Sequence, residues 1–409
     1  MSWRLSKATA SRRGSGPSDM GGNTRPLTPR LRQPRSLLAL NLGSASLKAA
    51  SFELPFGVGS QDAGAQETGR ASVEVAHHVL TADAAGSDKL LADLVRQLPG
   101  LAQAPDVVAH RIVHGADRPG PTELTQATIA ELRALSAWAP LHQPPALALV
   151  QAAIKRWPDA KQVGVFDTSW HQTIPDKHRM FAIPYALYSQ GVKRYGFHGL
   201  AFQSAMRQLV GIAPALSTGR VVLAHLGGGS SLCAVLGGRC VNTTMGMTPL
   251  GGIAMATRCG SLDPGVLLHL QRGLAMSTDE IDQLLWTHSG LKGLSEESGD
   301  MRTLLASRSD GAHRAIDVYV SEIVQAIAAM AACIGGIDVL AFSGGVGTHA
   351  AEIRRRVTTE LAWLGIKIDD GLNKASARDV SHPNARAQTF VLAIDEEAEL
   401  ARALSLLAV

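Results

Sequence analysis

His225-Leu226-Gly227-Gly228-Gly229-Ser230-Ser231 follows the apolar run Arg220 to Ala224 and precedes Leu232 to Leu236. That pattern is a strand, a tight glycine turn and a second strand. Half a chain earlier the same organisation occurs. Ser36 to Leu40 leads into Asn41-Leu42-Gly43-Ser44-Ala45-Ser46, and Leu47 to Phe52 resumes the strand pattern. Two such units predict duplicated domains. The competing explanation is two hairpins that share turn chemistry because glycine and serine dominate turns. A third apolar run, Ile337 to Phe342, enters Ser343-Gly344-Gly345-Val346-Gly347. Glycine lets backbone N–H groups approach phosphate oxygens with no side chain in the way. Three such turns at strand ends predict a nucleotide cleft. No G-x-x-x-x-G-K-[ST] and no G-x-G-x-x-G occurs, which disfavours a P-loop or a Rossmann site.

Around these turns the chain reads as a two-domain α/β protein. Its 409 residues can bury a sizeable core, and 45% apolar with 18% charged content is that of a globular protein. Strands are predicted at 107–113 and 163–166, and helices at 88–98, 123–137, 146–156, 277–287, 312–334 and 395–407. Residues 55–70 read as a Gly-rich loop. No uninterrupted run of 18 apolar residues occurs, so no membrane span is predicted. The net charge of +4 is unevenly placed: residues 1–35 carry +7, so the remainder carries −3. The basic stretch reads as a disordered leader with no apolar centre, so not a secretory signal; binding to nucleic acid is the alternative. Cys233, Cys240, Cys259 and Cys333 include no C-x-x-C pair, and scattered cysteines fit a reducing cytoplasm.

Several ionisable residues sit beside the apolar runs. Arg111 lies in His110-Arg111-Ile112-Val113-His114-Gly115, and Asp167 ends the strand Val163 to Phe166. His198 stands in Arg194-Tyr195-Gly196-Phe197-His198-Gly199, and Arg258 in Thr257-Arg258-Cys259-Gly260. Phosphoryl transfer spreads charge over equatorial oxygens and needs cations, donors and a metal on the nucleotide. Two arginines, a histidine and a carboxylate meet that need. Singly, each has a plainer role: a surface ion pair for an arginine, a structural hydrogen bond for His198, a helix N-cap for Asp167.

Taken together, the blocks resemble the acetate and propionate kinase family from about residue 37 to the C-terminus. They are N-L-G-S-A-S-L-K (41–48), H-R-I-V-H-G (110–115), A-P-L-H-Q-P (139–144), F-D-T-S-W-H-Q-T-I-P (166–175), R-Y-G-F-H-G (194–199), H-L-G-G-G-S-S (225–231), M-G-M-T-P-L (245–250), T-R-C-G-S-L-D-P (257–264), S-G-D-M-R (298–302) and D-E-E (395–397). The resemblance implies two duplicated actin-like ATPase (ribonuclease H-like) domains, each a mixed sheet flanked by helices, with a cleft between them. It places the first domain at 36–185 with a returning helix at 393–409, and the second at 186–392. The implied reaction is reversible Mg²⁺-dependent phosphoryl transfer between ATP and acetate, with Mn²⁺ as a substitute metal. The alternatives are a propionate or butyrate kinase and a catalytically weak nucleotide sensor. A cytoplasmic homodimer is expected, with a small carboxylate and a nucleotide as ligands and neither membrane nor nucleic acid as partner.

The resemblance assigns roles residue by residue. Asn41 and Glu396 resemble the Mg²⁺ residues, and Lys48 a nucleotide contact. Arg111 and Arg258 resemble the pair gripping the carboxylate or acyl phosphate. Asp167 resembles the catalytic carboxylate and His198 the donor to the moving phosphoryl group. Val113, Leu141, Phe197 and Pro249 match the pocket for the substrate methyl. His225, Leu226, Gly227, Gly228 and Gly229 resemble the phosphate loop. Asp300, Met301 and Arg302, with Gly345, Val346, Gly347, Thr348 and His349, resemble the adenosine side. Departures from the family pattern are Gly228 for an asparagine, Gly251 for a glutamate, Ser261 for an aspartate, Thr348-His349 for Glu-Asn, Gln143 for an asparagine, and Leu200-Ala201-Phe202 for Thr-Ser-His. They gather around the nucleotide, so weaker or less ATP-selective nucleotide binding is expected.

Overall fold

A computed structural model describes residues 36–404 except 44–45, 54–69, 77–83 and 99–102. The basic stretch 1–35, nearly all of the loop read at 55–70 and the chain beyond 404 lie outside the described residues. All described elements belong to one unit, Pro34–Val409.

Two mixed sheets carry the duplication. The first contains β1 (Ser36–Leu42), β2 (Ser46–Glu53), β3 (Ala71–Ala76), β4 (Val107–Ile112), β5 (Thr122–Glu123) and β6 (Lys161–Phe166). Its order is β3-β2-β1-β4-β6-β5. The second contains β7 (Arg220–Leu226), β8 (Ser230–Leu236), β9 (Arg239–Thr243), β10 (Val339–Ser343) and β11 (Gln388–Val391), in the order β9-β8-β7-β10-β11. In both, the first strand pairs antiparallel with its hairpin partner and parallel with the next strand inward. Shared turn chemistry alone would not reproduce strand order and direction across five strands, so the two hairpins mark a repeated fold.

β1 and β7 read as near-continuous apolar runs because both faces are covered. Alternation sorts the side chains. Leu38, Leu40 and Leu42 meet the helices Ala84–Gln97 and Gln143–Arg156 through Leu90, Leu94, Ala146 and Leu149. Leu37 and Ala39 face Leu400 and Ala401 on the returning helix Glu396–Ala403 and Leu404 directly after it. In the second sheet Val222, Ala224 and Leu226 pack on the helix Asp310–Cys333. Val221 and Leu223 pack on Phe202, Ala205 and Leu209 of the helix Gly199–Ile212. Arg207 and Glu399 join that helix to the returning one at 2.8 Å. Asp310–Cys333 is long and apolar enough to cross a membrane by composition. Its Ile316, Tyr319, Ile323 and Ile327 are buried in the core, where each stabilises by about 1.5–3 kcal/mol.

Two predicted elements differ. The helix read at 123–137 begins with β5, continues as the helix Gln126–Ala134 capped by Thr125, and ends in a 3₁₀ turn Ser136–Trp138. Ser343–Gly347, read as a glycine turn, is instead helical: Gly344–His349 is a short helix entered directly from β10. Three glycines in four residues hide a helix from propensity. Gly344 is held at φ 77°, where a Cβ would lie 2.5 Å from the Leu226 carbonyl oxygen. β3, β9, β11 and the helices Gly199–Ile212 and Pro264–Arg272 were not read from the sequence.

Candidate active site

Parallel strands leave their carboxyl ends at one edge, the usual ligand side of such sheets. Near those ends lie Asn41, penultimate in β1, Arg111, penultimate in β4, and Asp167, directly after β6. Arg111 forks onto Asp167, Nε to Oδ1 at 3.0 Å and Nη2 to Oδ2 at 2.8 Å. Its Nη1 donates to Asn41 Oδ1 at 3.1 Å and Glu396 Oε2 at 2.9 Å. Asn41 Nδ2 donates to Glu396 Oε2 at 2.8 Å and Glu397 Oε1 at 2.6 Å. The two glutamates open the returning helix, whose N-cap Asp395 accepts from Ala398 N and pairs with Arg70. Asp167 does not cap the 3₁₀ turn that it begins; its side chain forks with Arg111.

This buried network is charged. Burial works against Arg111, but Asp167 and Glu396 reverse it and hold the guanidinium charged beyond its ordinary range. Burial pushes Asp167 up, and Arg111 restrains the rise. Burial also raises Glu396, yet Arg111 and His225 more than offset it, so that carboxyl sits below its ordinary value. Burial and the neighbouring Glu396 carry Glu397 up, against the Asn41 bond.

Across the cleft two neutral histidines stand beside one charged arginine. His198 has a left-handed backbone (φ 58°) and opens the helix Gly199–Ile212. Its Nδ1 lies 2.8 Å from Ser231 Oγ on β8. His225, near the end of β7, places Nδ1 3.2 Å from Ser343 Oγ at the end of β10. The two imidazoles stand 4.8 Å apart, centroid to centroid. Burial lowers both, His225 to about 4 and His198 further, helped by His225, Arg111 and Arg258. Arg258 donates Nη1 to the Pro249 carbonyl at 2.8 Å, and Nη2 lies 3.4 Å from His142 Nε2. Burial and Arg111 bring Arg258 down to about 10, still charged at neutral pH.

Gly229 shows where these donors meet. A Cβ there would lie 3.0 Å from His198 Nε2 and 3.4 Å from Arg258 Nη2. In the tautomer in which Ser231 donates to Nδ1, the ring proton is on Nε2, which has no partner among the described residues. A neutral N–H and a guanidinium therefore flank one point beside the glycine turn, a geometry suited to a developing oxyanion.

The structure gathers Asn41, Arg111, Asp167, His198, His225, Gly227–Gly229, Arg258 and Glu396 around this cleft. Gly227 meets Gly345 N at 3.6 Å from its Cβ position, so the helix Gly344–His349 abuts the glycine turn. Val113 and Phe197 cluster with Ala139, Met245 and Met255, while Leu141 is exposed. Lys48 pairs in register with Asn41 and is exposed. Asp300 and Arg302 bond within their own turn, and Met301 belongs to the core of the second sheet. The sequence pattern missed His142, Glu397, Ser231 and Ser343. All four lie inside or beside the quoted blocks, but only the folded chain turns them to the cleft.

A model of the Acetokinase family matches residues 36–402. An acetate kinase from Rhodopseudomonas palustris (strain TIE-1) is 45% identical over 299 residues, 72% of this chain and 75% of the relative. One from Methylocella silvestris is 38% identical over 90% of this chain and 96% of its own. Among solved structures, Porphyromonas gingivalis acetate kinase superposes with a TM-score of 0.76 at 30% identity, covering 91% and 99% of the two chains. A propionate kinase from Francisella tularensis gives 0.78 at 28%, covering 90% and 98%.

Proposed function

The chain belongs to the acetokinase family, and on that premise we propose that it catalyses reversible phosphoryl transfer between ATP and acetate, giving acetyl phosphate and ADP. The convergence of His198 Nε2 and Arg258 Nη2 beside Gly229 supports this most directly. Arg111 and Arg258 grip the carboxylate and the phosphoryl oxygens. His198, neutral at working pH, donates from Nε2 without adding a charge. Asp167 aims the Arg111 fork; acetate is already ionised, so no base is needed to deprotonate it. The reading extends to His225 through Gly229 and Gly345 through His349 at the nucleotide phosphates and adenosine, with Asp300 to Arg302 beyond. Val113, Phe197 and Pro249 would line a small apolar pocket, which discriminates one methylene by only about 1–3 kcal/mol. Propionate is therefore turned over less efficiently than acetate.

The residues at the first-sheet edge fit a hard cation. Glu396 Oε2 is taken by Asn41 and Arg111, which leaves Oε1 without a partner among the described residues. Mg²⁺ prefers one or two carboxylates with water and phosphate oxygens, and when bound it neutralises phosphate charge. Glu396 would hold it, and Asn41 would position Glu396. The protein acts in the cytoplasm, where its nucleotide resides.

A homodimer completes the proposal. The helix Pro264–Arg272 is almost wholly exposed yet carries Val266, Leu267 and Leu268, with Leu262 and Leu274 beside it. Such contiguous apolar exposure suits an interface. Leu268→Glu should yield a monomer by light scattering; an unchanged mass would exclude this face. The activity itself is tested with Mg-ATP and acetate, trapping acyl phosphate as hydroxamate. No product with acetate, or faster turnover of propionate, would overturn the substrate assignment.

A further inference from the structure

Behind His198, on the face of the second sheet that packs on the helix Gly199–Ile212, β8 and β9 bring two thiols together. Cys233 and Cys240 are fully buried, with Sγ atoms 3.3 Å apart. The strand pairing explains why. Cys233 pairs with Thr243 and Ala234 with Asn242, but the register then slips, and Val235 pairs with Cys240. One extra residue in β9 is a bulge, and a one-residue shift moves a side chain to the opposite face. Without it Cys240 would stand opposite Leu236, which is exposed. With it, Cys240 joins Cys233 and Val235 in the same core.

His171 completes the group. Its Nε2 lies 2.9 Å from the Phe197 carbonyl oxygen and its Nδ1 3.1 Å from Cys240 Sγ. A carbonyl only accepts, so Nε2 carries the proton and Nδ1 is the free base. The chain Cys233 S–H to Cys240 S–H to His171 Nδ1 can thus move one proton from sulfur to imidazole. We propose that Cys233 and Cys240 are a peroxide-sensitive thiol pair that closes to a reversible disulfide and thereby shifts His198.

The chemistry balances with a hydroperoxide as oxidant. The Cys233 proton passes along the chain, leaving a thiolate at Cys233 and an imidazolium at His171. The thiolate attacks hydrogen peroxide, the O–O bond breaks, and the leaving hydroxide takes a proton to become water. Cys240 then attacks the sulfenic sulfur, forms the S–S bond and releases a second water. Sulfur loses two electrons and two protons; the peroxide gains both. Burial pushes Cys233 up, but the neighbouring Cys240 thiol and the His171 imidazole bring it down to about 6, in keeping with its being the nucleophile. A zinc site fits less well. Thiolates about 2.3 Å from a tetrahedral ion stand roughly 3.8 Å apart, and among the described residues three ligands gather here.

Closure draws the sulfurs from 3.3 Å to about 2.05 Å. Cys240 leaves His171, which holds Phe197, the residue before His198. β8 moves as well, and its Ser231 is the other support of the His198 ring. The expected result is a fall in kcat of about tenfold with KM for acetate little changed, because positioning of the donor is lost rather than binding.

The test treats the full-length protein with hydrogen peroxide, then maps peptides and measures turnover. The expected result is a Cys233–Cys240 link, loss of turnover in step with the link, and recovery with dithiothreitol. Cys233→Ala, compared with its own untreated activity, should be resistant. A bulky aromatic disulfide should leave the pair intact, because the thiols are buried. Peroxide treatment that links Cys259 or Cys333 instead, forms no link, or forms it without changing turnover would overturn the proposal. So would one zinc ion per chain that is retained on gel filtration and shields both thiols.

Discussion

Arg111 and Asn41 occupy the same positions in the first sheet that Ser343 and His225 occupy in the second. In each, the penultimate residue of the leading strand bonds to a side chain at the end of the parallel neighbour: Arg111 Nη1 to Asn41 Oδ1 at 3.1 Å, His225 Nδ1 to Ser343 Oγ at 3.2 Å. One scaffold therefore presents two platforms of opposite character. The first gathers Arg111, Asp167, Glu396 and Glu397 into a charged lattice. The second is a neutral imidazole, a hydroxyl and a turn of glycines. The matched strand-end positions differ in kind: a guanidinium among carboxylates in the first sheet, a neutral imidazole and a hydroxyl in the second, where the Arg258 guanidinium comes from a loop outside the strands.

Removing the matched residues tests that contrast most severely. Arg111→Ala strands Asp167 and Glu396 as buried carboxylates. Breaking such a pair costs about 3–5 kcal/mol of stability, and loss of the cation should lower turnover by roughly 10³-fold. Arg111→Lys should recover little, because an ammonium cannot fork onto Asp167. Ser343→Ala removes one neutral hydrogen bond, worth about 1 kcal/mol, and should raise the nucleotide KM severalfold. Steady-state kinetics beside urea unfolding measures both. Comparable losses in the two variants would erase the asymmetry.

Acid probes the neutral histidines. His225 sits at about 4, lowered by burial, and so do His110 and His114 near the end of β4. Each is neutral in the folded chain and charged in the unfolded chain between about pH 4 and 6.5. Their folded values are depressed, so stability is complete above 6.5 and is lost as pH falls towards 4. The slope reaches about 1.4 kcal/mol per pH unit for each histidine. A urea midpoint that holds steady from pH 7 to 4.5 would contradict their burial in the neutral form.

Much of this was legible beforehand. The hairpins, β4 and β6, and the cleft residues follow from apolar runs ending in polar or glycine turns. What was not legible depends on tertiary partners. The helix Gly199–Ile212 starts from a left-handed histidine without a side-chain cap, so no local signal announces it. Leu200-Ala201-Phe202 read as losses at the site; Phe202 instead fills the core under β7, and Leu200 reaches the first sheet. Gln143 likewise does structural duty, bonding the backbone N–H and carbonyl of His114 and the carbonyl of Leu132. Gly251 and Ser261, in place of two acids, both line a cavity of about 210 Å³ with Arg194 and Phe181. Spacing along the chain could not separate these structural departures from those that face ligand.

Gly228 is the departure that bears on the nucleotide, and it yields the smallest and most discriminating change. It is exposed at the tip of the β7–β8 turn. No atom lies within 4 Å of its Cβ position, and its φ is not in the left-handed range. Its carbonyl already accepts from Ala256 N at 3.2 Å, which anchors the backbone without help from the side chain. Gly228→Asn therefore fits without strain, and loss of glycine freedom in the unfolded chain should add about 0.4–1 kcal/mol of stability. An amide at this position reaches towards the phosphates and offers one further hydrogen bond, about 0.5–1.5 kcal/mol. The KM for ATP should fall between about twofold and tenfold by the same measure, with kcat and the KM for acetate held. Comparing ATP with GTP then shows whether the open turn relaxed nucleotide choice or only weakened the grip. An unchanged nucleotide KM in a more stable protein would mean that the second platform binds phosphate through its backbone alone, and that its glycines are sufficient as they stand.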